Sequence, residues 1–501
     1  MTETLKYYVN NKYVESKTKK FYDVYNPSTG ELQAKCPRCT SDEVKAAIEA
    51  AYKAYHGWAA TPPIKRTQVL FRMRDLLEKH MDELTLLCAR EHGKNWVESQ
   101  GDILKVKEAT EHASGICNLM LGESLMDASK GYDTTLYREP LGVFAGISPF
   151  NFPAMIPLGW MAPLCIACGN TMVLKVAGAT PMTSLRAIDL YREAGLPEGV
   201  LNIVSCDREV IPELIGNPLV KGVSFVGSTE VGAKIYAQAA AAGKRVQCLT
   251  EAKNHALVMA DAPIDRTAAG IINATYGCAG ERCMALPVVM AEEAIADKLV
   301  AKLLELAKKM KVGPAYEKDT QLGPVYSAEH KKAVCDWIAK GVAEGAKLVL
   351  DGRDYVVKGF EKGFYVGPTI LDHVTPEMTV GQREIFGPVL CVKRCKSFNE
   401  GLKLMNDNPF ANGSVIYTQN GFYAREFVRH THGGMVGVNV GIPVPVGFFP
   451  FAGHKQSFFG DLHCLGKDGV RFYTESKCVT THWFDEEEMK STKVSTWDGT
   501  I

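Results

Sequence analysis

The chain has 501 residues, of which 46% are hydrophobic and 23% charged, and its 57 basic residues balance its 57 acidic residues. A chain of this length exceeds a single core, so two or three domains are expected, and the lack of net charge argues against binding to nucleic acid or to a membrane surface. The fifteen cysteines are odd in number and scattered, which is typical of reduced thiols in an intracellular protein.

The first helices are predicted between residues 41 and 91. The opening residues, MTETLKYYVNNKYVE, have neither an apolar run nor an Arg- and Ser-rich stretch, so no targeting segment is expected there. Helical periodicity covers 41–56, with Ser41 and Asp42 as caps. A second long helix is predicted over 64–91, directly after Pro62-Pro63.

The longest apolar run, residues 154–174, is long enough to span a membrane. Pro157 and Pro163 interrupt it, and Gly169-Asn170 separates a final strand-like segment. We therefore predict a buried helix, a turn and a buried parallel strand rather than a membrane span.

Short apolar strands alternate with helices across the middle of the chain, as LGVFAGI, TMVLKV, LNIVSC, GVSFVG and ALVMA. This alternation predicts a parallel α/β sheet of the nucleotide-binding type. A second α/β series begins near residue 255, and residues 430–475 are rich in Gly and Pro, as in loops that cover a site. The acidic run at 485–490 is interpreted as a solvated tail.

The segment GVSFVGSTEVGAKIYAQAAA predicts a strand, a turn at Gly227 and a helix capped by Ser228 or Thr229. The free N–H groups of such a helix can hold a phosphate. The motif is neither GxGxxG nor a P-loop. From these residues alone, a plain capped helix and a dinucleotide site both stay open.

Two Cys-x-x-Cys pairs, Cys36/Cys39 and Cys165/Cys168, have the spacing of zinc or redox sites. They are far apart in the sequence and nothing connects them, so no metal site is predicted. A more promising cysteine lies in YGCAGERCMAL, where glycines let the backbone approach the Cys283 thiol and Arg282 could favour a thiolate. A buried structural cysteine and a nucleophile both stay open for Cys283.

Five ordered motifs resemble those of the aldehyde dehydrogenase superfamily: SPFNFP at 148–153, VLKVAGATP at 173–181, FVGSTEVG at 225–232, GERCMA at 280–285 and EIFGPV at 384–389. The resemblance extends over about residues 7–483. Within the superfamily, AKNHALVM, VNVGIPVP and the C-terminal SFFGDLHCLGKDGVRFYTESKCVT resemble the methylmalonate-semialdehyde dehydrogenase family. The resemblance implies an α/β fold with two Rossmann-type parallel α/β domains and a small β-ribbon oligomerisation arm.

The resemblance also implies the domain organisation. It places an NAD-binding domain at 1–120 and 140–250, a catalytic domain at 251–440, and the oligomerisation arm with the C-terminal segment at 121–139 and 441–501. Family members exchange this arm, so a homodimer or homotetramer is expected. The implied compartment is the mitochondrial matrix for a eukaryotic chain and the cytoplasm for a bacterial one.

The resemblance assigns Cys283 as the nucleophile that attacks an aldehyde and forms a thiohemiacetal. The side-chain amide of Asn151 and the N–H of Cys283 would stabilise the oxyanion. Arg282 is expected to pair with the carboxylate of a semialdehyde substrate, and Lys105 stands where the family has a second Arg. As alternatives, Arg282 could hold neighbouring loops and Lys105 could be a solvated helix residue.

NAD is the implied cofactor. The resemblance assigns Ser228 to its pyrophosphate, Lys175 to its adenine ribose, Glu384 to its nicotinamide ribose and Phe386 to the neighbourhood of the nicotinamide. Three further residues would position the dinucleotide through backbone groups: Ser148, Phe150 and Thr250.

Besides Lys105, three positions depart from the family pattern. Glu281 stands where the nucleophile motif has Gln, and the other two concern the coenzyme and the release of the acyl group. Gly178 stands where a Glu accepts from the ribose 2′-OH, so the preference for NAD over NADP depends on the resemblance alone. Leu249 stands where hydrolytic members have a Glu that activates water, and Glu251 would be displaced from that position by about 7 Å along a strand.

The loss of that base favours transfer of the acyl group to coenzyme A. The substrate carboxylate would leave as carbon dioxide or bicarbonate, giving propionyl-CoA or acetyl-CoA. Two alternatives remain: a hydrolytic NAD(P)-dependent aldehyde dehydrogenase that uses Glu251 or Glu384 and releases free acid, and a catalytically inactive structural or binding relative.

Overall fold

A computed structural model describes residues 2–492 of the chain. Its strands are β1 (Glu3–Thr4), β2 (Tyr7–Val9), β3 (Lys12–Val14), β4 (Phe21–Asn26), β5 (Glu31–Pro37), β6 (Ser124–Ser129), β7 (Tyr132–Pro140), β8 (Val143–Ile147), β9 (Thr171–Lys175), β10 (Leu201–Val204), β11 (Val220–Val226), β12 (Arg245–Leu249), β13 (His255–Val258), β14 (Val288–Glu292), β15 (Lys347–Leu350), β16 (Thr369–Asp372), β17 (Val389–Cys395), β18 (Phe410–Ala411), β19 (Gly413–Tyr417), β20 (Met435–Val438), β21 (His454–Lys455), β22 (Phe458–Phe459) and β23 (Thr474–His482).

The α-helices connect and cover these strands. They are α1 (Ser41–Ala60), α2 (Pro63–Lys79), α3 (Met81–His92), α4 (Trp96–Ser114), α5 (Ile116–Leu119), α6 (Ala162–Ala167), α7 (Met182–Glu193), α8 (Ile211–Gly216), α9 (Thr229–Ala241), α10 (Ile264–Tyr276), α11 (Glu293–Lys308), α12 (Ala328–Ala343), α13 (Phe398–Asn406), α14 (Gly421–His430) and α15 (Gly466–Phe472).

The first large sheet has the strand order β22-β12-β11-β8-β9-β10-β2-β3. Its five central strands, β12 to β10, are parallel, and antiparallel strands close both edges. From β8 the chain moves to β9 on one side, whereas β11 pairs with β8 on the other side. Ligands of such sheets bind outside the carboxyl ends of the strands at this reversal, so the predicted nucleotide-binding sheet is confirmed in its topology.

The second large sheet has the order β15-β16-β17-β14-β13-β19-β20, and all of it except β15 is parallel. It is built from residues 255–438, as the second α/β series predicted. The two parallel sheets together confirm the expected fold class. The hydrophobic core of the second sheet is separate from that of the first.

A third, antiparallel sheet pairs β23 with β7 and β7 with β6. It occupies the segments expected to form the oligomerisation arm, and β6 is exposed along its whole length. The C-terminal segment also contributes elsewhere, because β22 pairs with β12 and Phe472 lies in the core of the first sheet. The assignment of domain boundaries stays a prediction.

The apolar run at 154–174 folds as a π-helix over Met155–Met161, then α6, a turn and β9, and it is almost entirely buried. This agrees with the predicted helix, turn and strand. In residues 2–492 no helix combines the length and apolarity that a membrane span requires.

Two details of the predicted helices are corrected. The cap of α1 is Thr40, whose side chain accepts from the Glu43 N–H, while the Glu43 carboxylate accepts from the Thr40 N–H. The helix predicted over 64–91 is broken at His80, which has φ −104° and ψ 17°. The His80 ring hydrogen-bonds Glu83 at 2.6 Å, and Glu83 pairs with Arg186 of α7 at 2.6 Å, so a tertiary contact sets the new direction of α3.

Candidate active site

The loop before Cys283 has a backbone that only particular residues tolerate. After α10, Cys278 and Ala279 adopt φ values of 52° and 51°, and Gly280 adopts 74°. A Cβ at Gly280 would lie 2.1 Å from the carbonyl oxygen of Gly387. Glycine is therefore required for the nucleophile loop to reach the EIFGPV segment.

Two asparagines hold the backbone of Cys283. The Asn254 Nδ2 donates to the Cys283 carbonyl at 2.8 Å, and the Asn412 Nδ2 donates to it at 3.4 Å. Asn254 also accepts from the Gly413 N–H at 2.7 Å, which ties the loop to β19. Asn254 lies in the AKNHALVM segment, but no structural role was predicted for it. Its place in a family-specific segment is the only feature of the sequence that points to such a role.

Cys283 is partly exposed and opens on a cavity of about 200 Å³. Most of the cavity lining is apolar, and three charged side chains complete it. The lining residues are Glu98, Gly101, Lys105, Phe152, Met155, Trp160, Arg282, Cys283, Met284, Ile442, Val444 and Phe451. The two cations expected to bind a substrate carboxylate thus lie in the same cavity as the expected nucleophile.

Both cations have carboxylate partners. Arg282 pairs with Glu98 at 3.2 Å and donates to the Asn273 carbonyl at 2.6 Å, which is the loop-holding arrangement considered as its alternative. Lys105 pairs with Glu108 at 2.6 Å. Glu108 also accepts from the Gly447 N–H at 2.7 Å and so connects α4 to the Gly- and Pro-rich loop. Neither the Glu98 carboxylate nor the Glu108 carboxylate was predicted from the sequence.

The thiol of Cys283 is protonated at neutral pH. Burial raises its pKa to about 12, and the neighbouring Glu384 carboxylate acts in the same direction. Arg282 and two backbone N–H groups lower the pKa without compensating for these effects. The expected activation of the thiolate by Arg282 is therefore weak in this state of the protein, since Glu98 neutralises the guanidinium.

Asn151 lies against the nucleophile loop. Its Nδ2 donates to the Glu281 carbonyl at 3.1 Å, and within residues 2–492 its buried Oδ1 has no hydrogen-bond partner. Its own carbonyl accepts from Lys94, which forms a buried ion pair with Asp102 at 3.0 Å. The Asn151 amide is thus held against the backbone of Glu281, two residues before Cys283 in the chain.

Glu281 is a carboxyl group inside the protein, where the family motif has Gln. Its Oε1 accepts from the Tyr326 N–H at 3.2 Å, and the rings of His330 and His92 lie 3.4 and 3.8 Å from its oxygens. Burial holds its pKa well above the ordinary value. A neutral carboxyl has the same pattern of one donor and one acceptor side as an amide, so Glu281 is an acceptable replacement for Gln.

The crevice at the reversal of the first sheet is lined by the start of α9. Ser228 is the N-cap, and the first N–H groups of α9 have no intrahelical partner. A Cβ at Gly232 would lie 2.4 Å from Thr250 Cγ2, so glycine lets the helix pack closely on the end of β12. The free N–H groups of α9 can hold a phosphate, and the assignment of Ser228 to a pyrophosphate stays a prediction.

The backbone groups expected to position a dinucleotide already make hydrogen bonds within the protein. The Ser148 N–H donates to the Lys175 carbonyl at 3.0 Å, and the Thr250 N–H donates to the Ser457 carbonyl at 3.0 Å. The Phe150 ring stacks on Tyr326 with centroids 3.7 Å apart. The N–H groups of Ser148 and Thr250 are therefore engaged within the protein, and the dinucleotide-binding role of the three residues stays a prediction.

Glu384 and Phe386 lie between the crevice and the nucleophile. Glu384 Oε1 accepts from the Ala252 N–H at 3.1 Å, and burial raises its pKa to about 8. Phe386 has φ 60°, and its carbonyl contacts the His330 ring at 2.7 Å. Glu384 is the carboxylate that raises the pKa of Cys283, so it lies near the thiol.

Leu249 is buried in the core of the first sheet, with Met284 in the same core. No ionisable side chain therefore stands at position 249. The Glu251 backbone is fixed by hydrogen bonds to Thr229 and Ser457. The described residues contain no group of three or more His, Cys, Asp or Glu arranged to hold a metal ion.

Comparisons with known proteins agree with this geometry. The Aldehyde dehydrogenase family profile matches residues 13–479. The malonate-semialdehyde dehydrogenase 2 of Geobacillus kaustophilus (strain HTA426) is 47% identical over 96% of this chain and 99% of its own length. The crystal structure of methylmalonate-semialdehyde dehydrogenase (DddC) from Oceanimonas doudoroffii is 43% identical, with a TM-score of 0.95 over 97% of this chain and 99% of that chain. A Sinorhizobium meliloti 1021 structure assigned to the same activity and complexed with NAD is 40% identical, with a TM-score of 0.95 and the same coverage.

Proposed function

The chain belongs to the aldehyde dehydrogenase family, and we propose that it oxidises methylmalonate semialdehyde or malonate semialdehyde with NAD and passes the acyl group from Cys283 to coenzyme A. One observation carries the proposal: Cys283 shares its cavity with Lys105 and Arg282, whereas the position of the water-activating base holds Leu249. The relatives that act on such semialdehydes support the same substrate class.

The residues at the sheet reversal fit NAD. The close approach at Gly232 and the unpaired N–H groups of α9 suit a pyrophosphate at Ser228, and Lys175 and Glu384 would bind the adenine ribose and the nicotinamide ribose. When bound, NAD supplies the hydride acceptor. Phe386 and Phe150 then limit where the ring can lie, since their centroids are 5.9 Å apart.

The chain itself supplies the covalent chemistry. Sγ of Cys283 bonds to the aldehyde carbon, and the resulting oxyanion is stabilised by Asn151 and the Cys283 N–H. Losing one such donor typically costs about 3 kcal/mol. After oxidation the acyl group is a thioester on Cys283. The bond between the α-carbon and the carboxylate breaks, carbon dioxide or bicarbonate leaves, and the α-carbon takes a proton from solvent. The thiolate of coenzyme A then takes the acyl group and releases Cys283 as the leaving thiolate.

The cations serve the substrate carboxylate. Arg282 has several N–H donors, so it can keep its contact with Glu98 and still bind a second carboxylate. Lys105 lies on the same cavity wall and adds a second positive charge. Leu249 leaves the position of the family's water-activating base without an ionisable group, which favours a thiol acceptor over water.

Steady-state NADH formation with both semialdehydes, with and without coenzyme A, tests the proposal. We expect full turnover only with coenzyme A, no activity in Cys283→Ala, and wild-type activity in the exposed-cysteine control Cys117→Ala. Arg282→Leu should raise KM for the semialdehydes much more than KM for propanal, which has no carboxylate.

Two results would contradict the proposal. Equal turnover without coenzyme A, with free acid as the product, would make the enzyme hydrolytic, with Glu384 or Glu251 as the base to be tested next. Failure to bind NAD, together with no NADH formation from either semialdehyde in the presence of coenzyme A, would make it an inactive relative.

A further inference from the structure

The space next to Gly178 is filled by an aromatic ring from the N-terminal hairpin. Gly178 follows β9, whose last residue is Lys175. A Cβ at Gly178 would lie 2.1 Å from Cδ2 of Tyr22, so no side chain can stand there while Tyr22 keeps its place. The missing carboxylate at this position is therefore a consequence of how β4 packs.

The same tyrosine holds a different carboxylate nearby. The Tyr22 hydroxyl donates to Asp207 Oδ1 at 2.9 Å, and Arg38 Nη1 pairs with the same oxygen at 3.0 Å. The Arg38 guanidinium also stacks over the Tyr22 ring, 4.1 Å from its centroid. Arg38 lies between Cys36 and Cys39, so the first Cys-x-x-Cys segment contributes a side chain to this cluster.

One oxygen of the Asp207 carboxylate can accept a further hydrogen bond. It follows the carboxyl end of β10, the neighbour of β9, and its side chain is 22% exposed. Among the described residues, no donor hydrogen-bonds its Oδ2. Burial lowers the pKa of Lys175, and nearby negative groups, Asp207 among them, oppose that shift, which places the carboxylate beside the end of β9.

The position suits a ribose. In dinucleotide-binding sheets, an acidic side chain near the end of the second strand accepts from the 2′-OH of NAD, whereas an Arg accommodates the 2′-phosphate of NADP. Here β9 is the second strand, and Asp207 is the carboxylate held beside it. Without Asp207, the group would consist of the cations Arg38, Lys175 and Arg208, which would attract a phosphate.

We propose that Asp207, positioned by Tyr22 and Arg38, binds the adenine-ribose hydroxyls and selects NAD over NADP. This proposal rests on the proposed function, because it requires a dinucleotide at the first sheet. Asp207 replaces the family's carboxylate from a different loop, and its second oxygen is the acceptor. A 2′-phosphate would face that carboxylate and be repelled.

Equilibrium binding of NADH and NADPH to the full chain, followed by coenzyme fluorescence, tests the proposal without any aldehyde. We expect Asp207→Asn to shift the NADH-to-NADPH affinity ratio towards NADPH by about tenfold or more. Adding Arg38→Met to Asp207→Asn should abolish the gain for NADPH. Asp207→Glu should preserve the preference for NADH. Glu209→Gln removes an exposed charge in the same loop and should leave the ratio unchanged.

The outcomes separate this proposal from the proposed function. Wild-type protein that binds neither coenzyme would overturn both. Wild-type binding with an unchanged ratio in Asp207→Asn, or an equal shift in Glu209→Gln, would overturn the role of Asp207 alone. Thermal unfolding of each variant shows whether it is folded, and Asp207→Ser repeats the measurement if Asp207→Asn is not.

Discussion

Cys283, the proposed nucleophile, has a thiol whose raised pKa keeps it protonated and therefore unreactive. Its surroundings place the pKa at about 12, and the neighbouring Glu384, whose own pKa is about 8, contributes to that value. Above pH 8 Glu384 is ionised and opposes formation of the thiolate, whereas below pH 8 it is increasingly neutral. The reactivity of Cys283 in the coenzyme-free protein should therefore depend on the protonation of Glu384.

Glu384→Gln should accelerate alkylation of Cys283 by iodoacetamide at pH 9.5 by about threefold or more, which corresponds to about half a pKa unit. At pH 6.5 the variant and the wild type should react at similar rates, since Glu384 is then neutral in both. Mass spectrometry of the Cys283 peptide measures the rate, with the exposed Cys117 as an internal reference. Equal rates at pH 9.5 would show that Glu384 does not act on the thiol.

Glu281 presents a second consequence of burial. Its folded-state pKa lies well above the unfolded value of about 4.3. A group with a raised folded pKa stabilises the protein fully below its unfolded pKa, and this contribution is lost as the pH rises towards the folded pKa. Glutamine does not ionise, so it avoids the loss.

We expect Glu281→Gln to be more stable than the wild type at pH 8 by roughly 1–3 kcal/mol, the cost of a poorly satisfied buried polar group. At pH 5 the difference should be smaller. Thermal or urea unfolding at both pH values measures it, and Glu49→Gln, at an exposed position in α1, should show no such pH dependence. A variant that is less stable at pH 8 would mean that the carboxylate is ionised and paired in the fold.

The residues proposed to carry the chemistry lie in motifs that the sequence displays, but their hydrogen-bond and ion-pair partners could not be predicted. Cys283 and Asn151 lie in short ordered motifs that a sequence displays directly. Glu98 pairs with Arg282 across 184 positions, and the Asp207 partner Tyr22 is 185 positions away. Such pairs depend on how loops from different elements meet, and a single sequence contains no local pattern that reveals them.

At the scale of elements, periodicity predicted the parallel strands and the buried run at 154–174 because those segments are uniformly apolar and have Gly and Pro at their ends. It missed the break at His80, since the segment 64–91 contains no glycine or proline. That break depends on the Glu83–Arg186 pair between α3 and α7. Local propensity favours one continuous helix, and tertiary contact overrides it.

The packing of β4 on the turn after β9 gives a prediction at this scale. Gly178→Ala should destabilise the protein by about 1–3 kcal/mol, because the new Cβ would overlap the Tyr22 ring. In a Tyr22→Ala background the same substitution should cost much less. A double-mutant cycle from urea unfolding measures this coupling.

Gly57→Ala is the matched control, since Gly57 lies within α1 with no atom within 4 Å of its ideal Cβ. That substitution should stabilise the protein by up to about 1 kcal/mol. Additive effects of Gly178→Ala and Tyr22→Ala would show that the ring and the turn are not in contact.

At the scale of the molecule, two sheets with separate cores meet at the candidate active site. The loop before Cys283 and the EIFGPV segment both belong to the domain of the second sheet. A thin sheet of β6, β7 and β23 stands apart from these cores. β6 presents apolar side chains to solvent, with Leu125 and Met126 62% and 78% exposed, and Trp483, directly after β23, is 82% exposed. Exposed apolar side chains on a three-stranded sheet are typical of a surface that another protein surface covers.

We expect that cover to be another copy of the chain, as the resemblance implies for the arm. Met126→Lys combined with Leu125→Lys should dissociate the assembly to smaller species, because two buried cations at an interface would lack partners. Sedimentation velocity at micromolar concentration measures the size distribution. Val356→Lys, at a position 66% exposed on the second sheet's side of the chain, should leave that distribution unchanged. A monomeric wild type under these conditions would contradict the arm's role, whereas dissociation confined to the arm variant would show that β6 is buried between subunits.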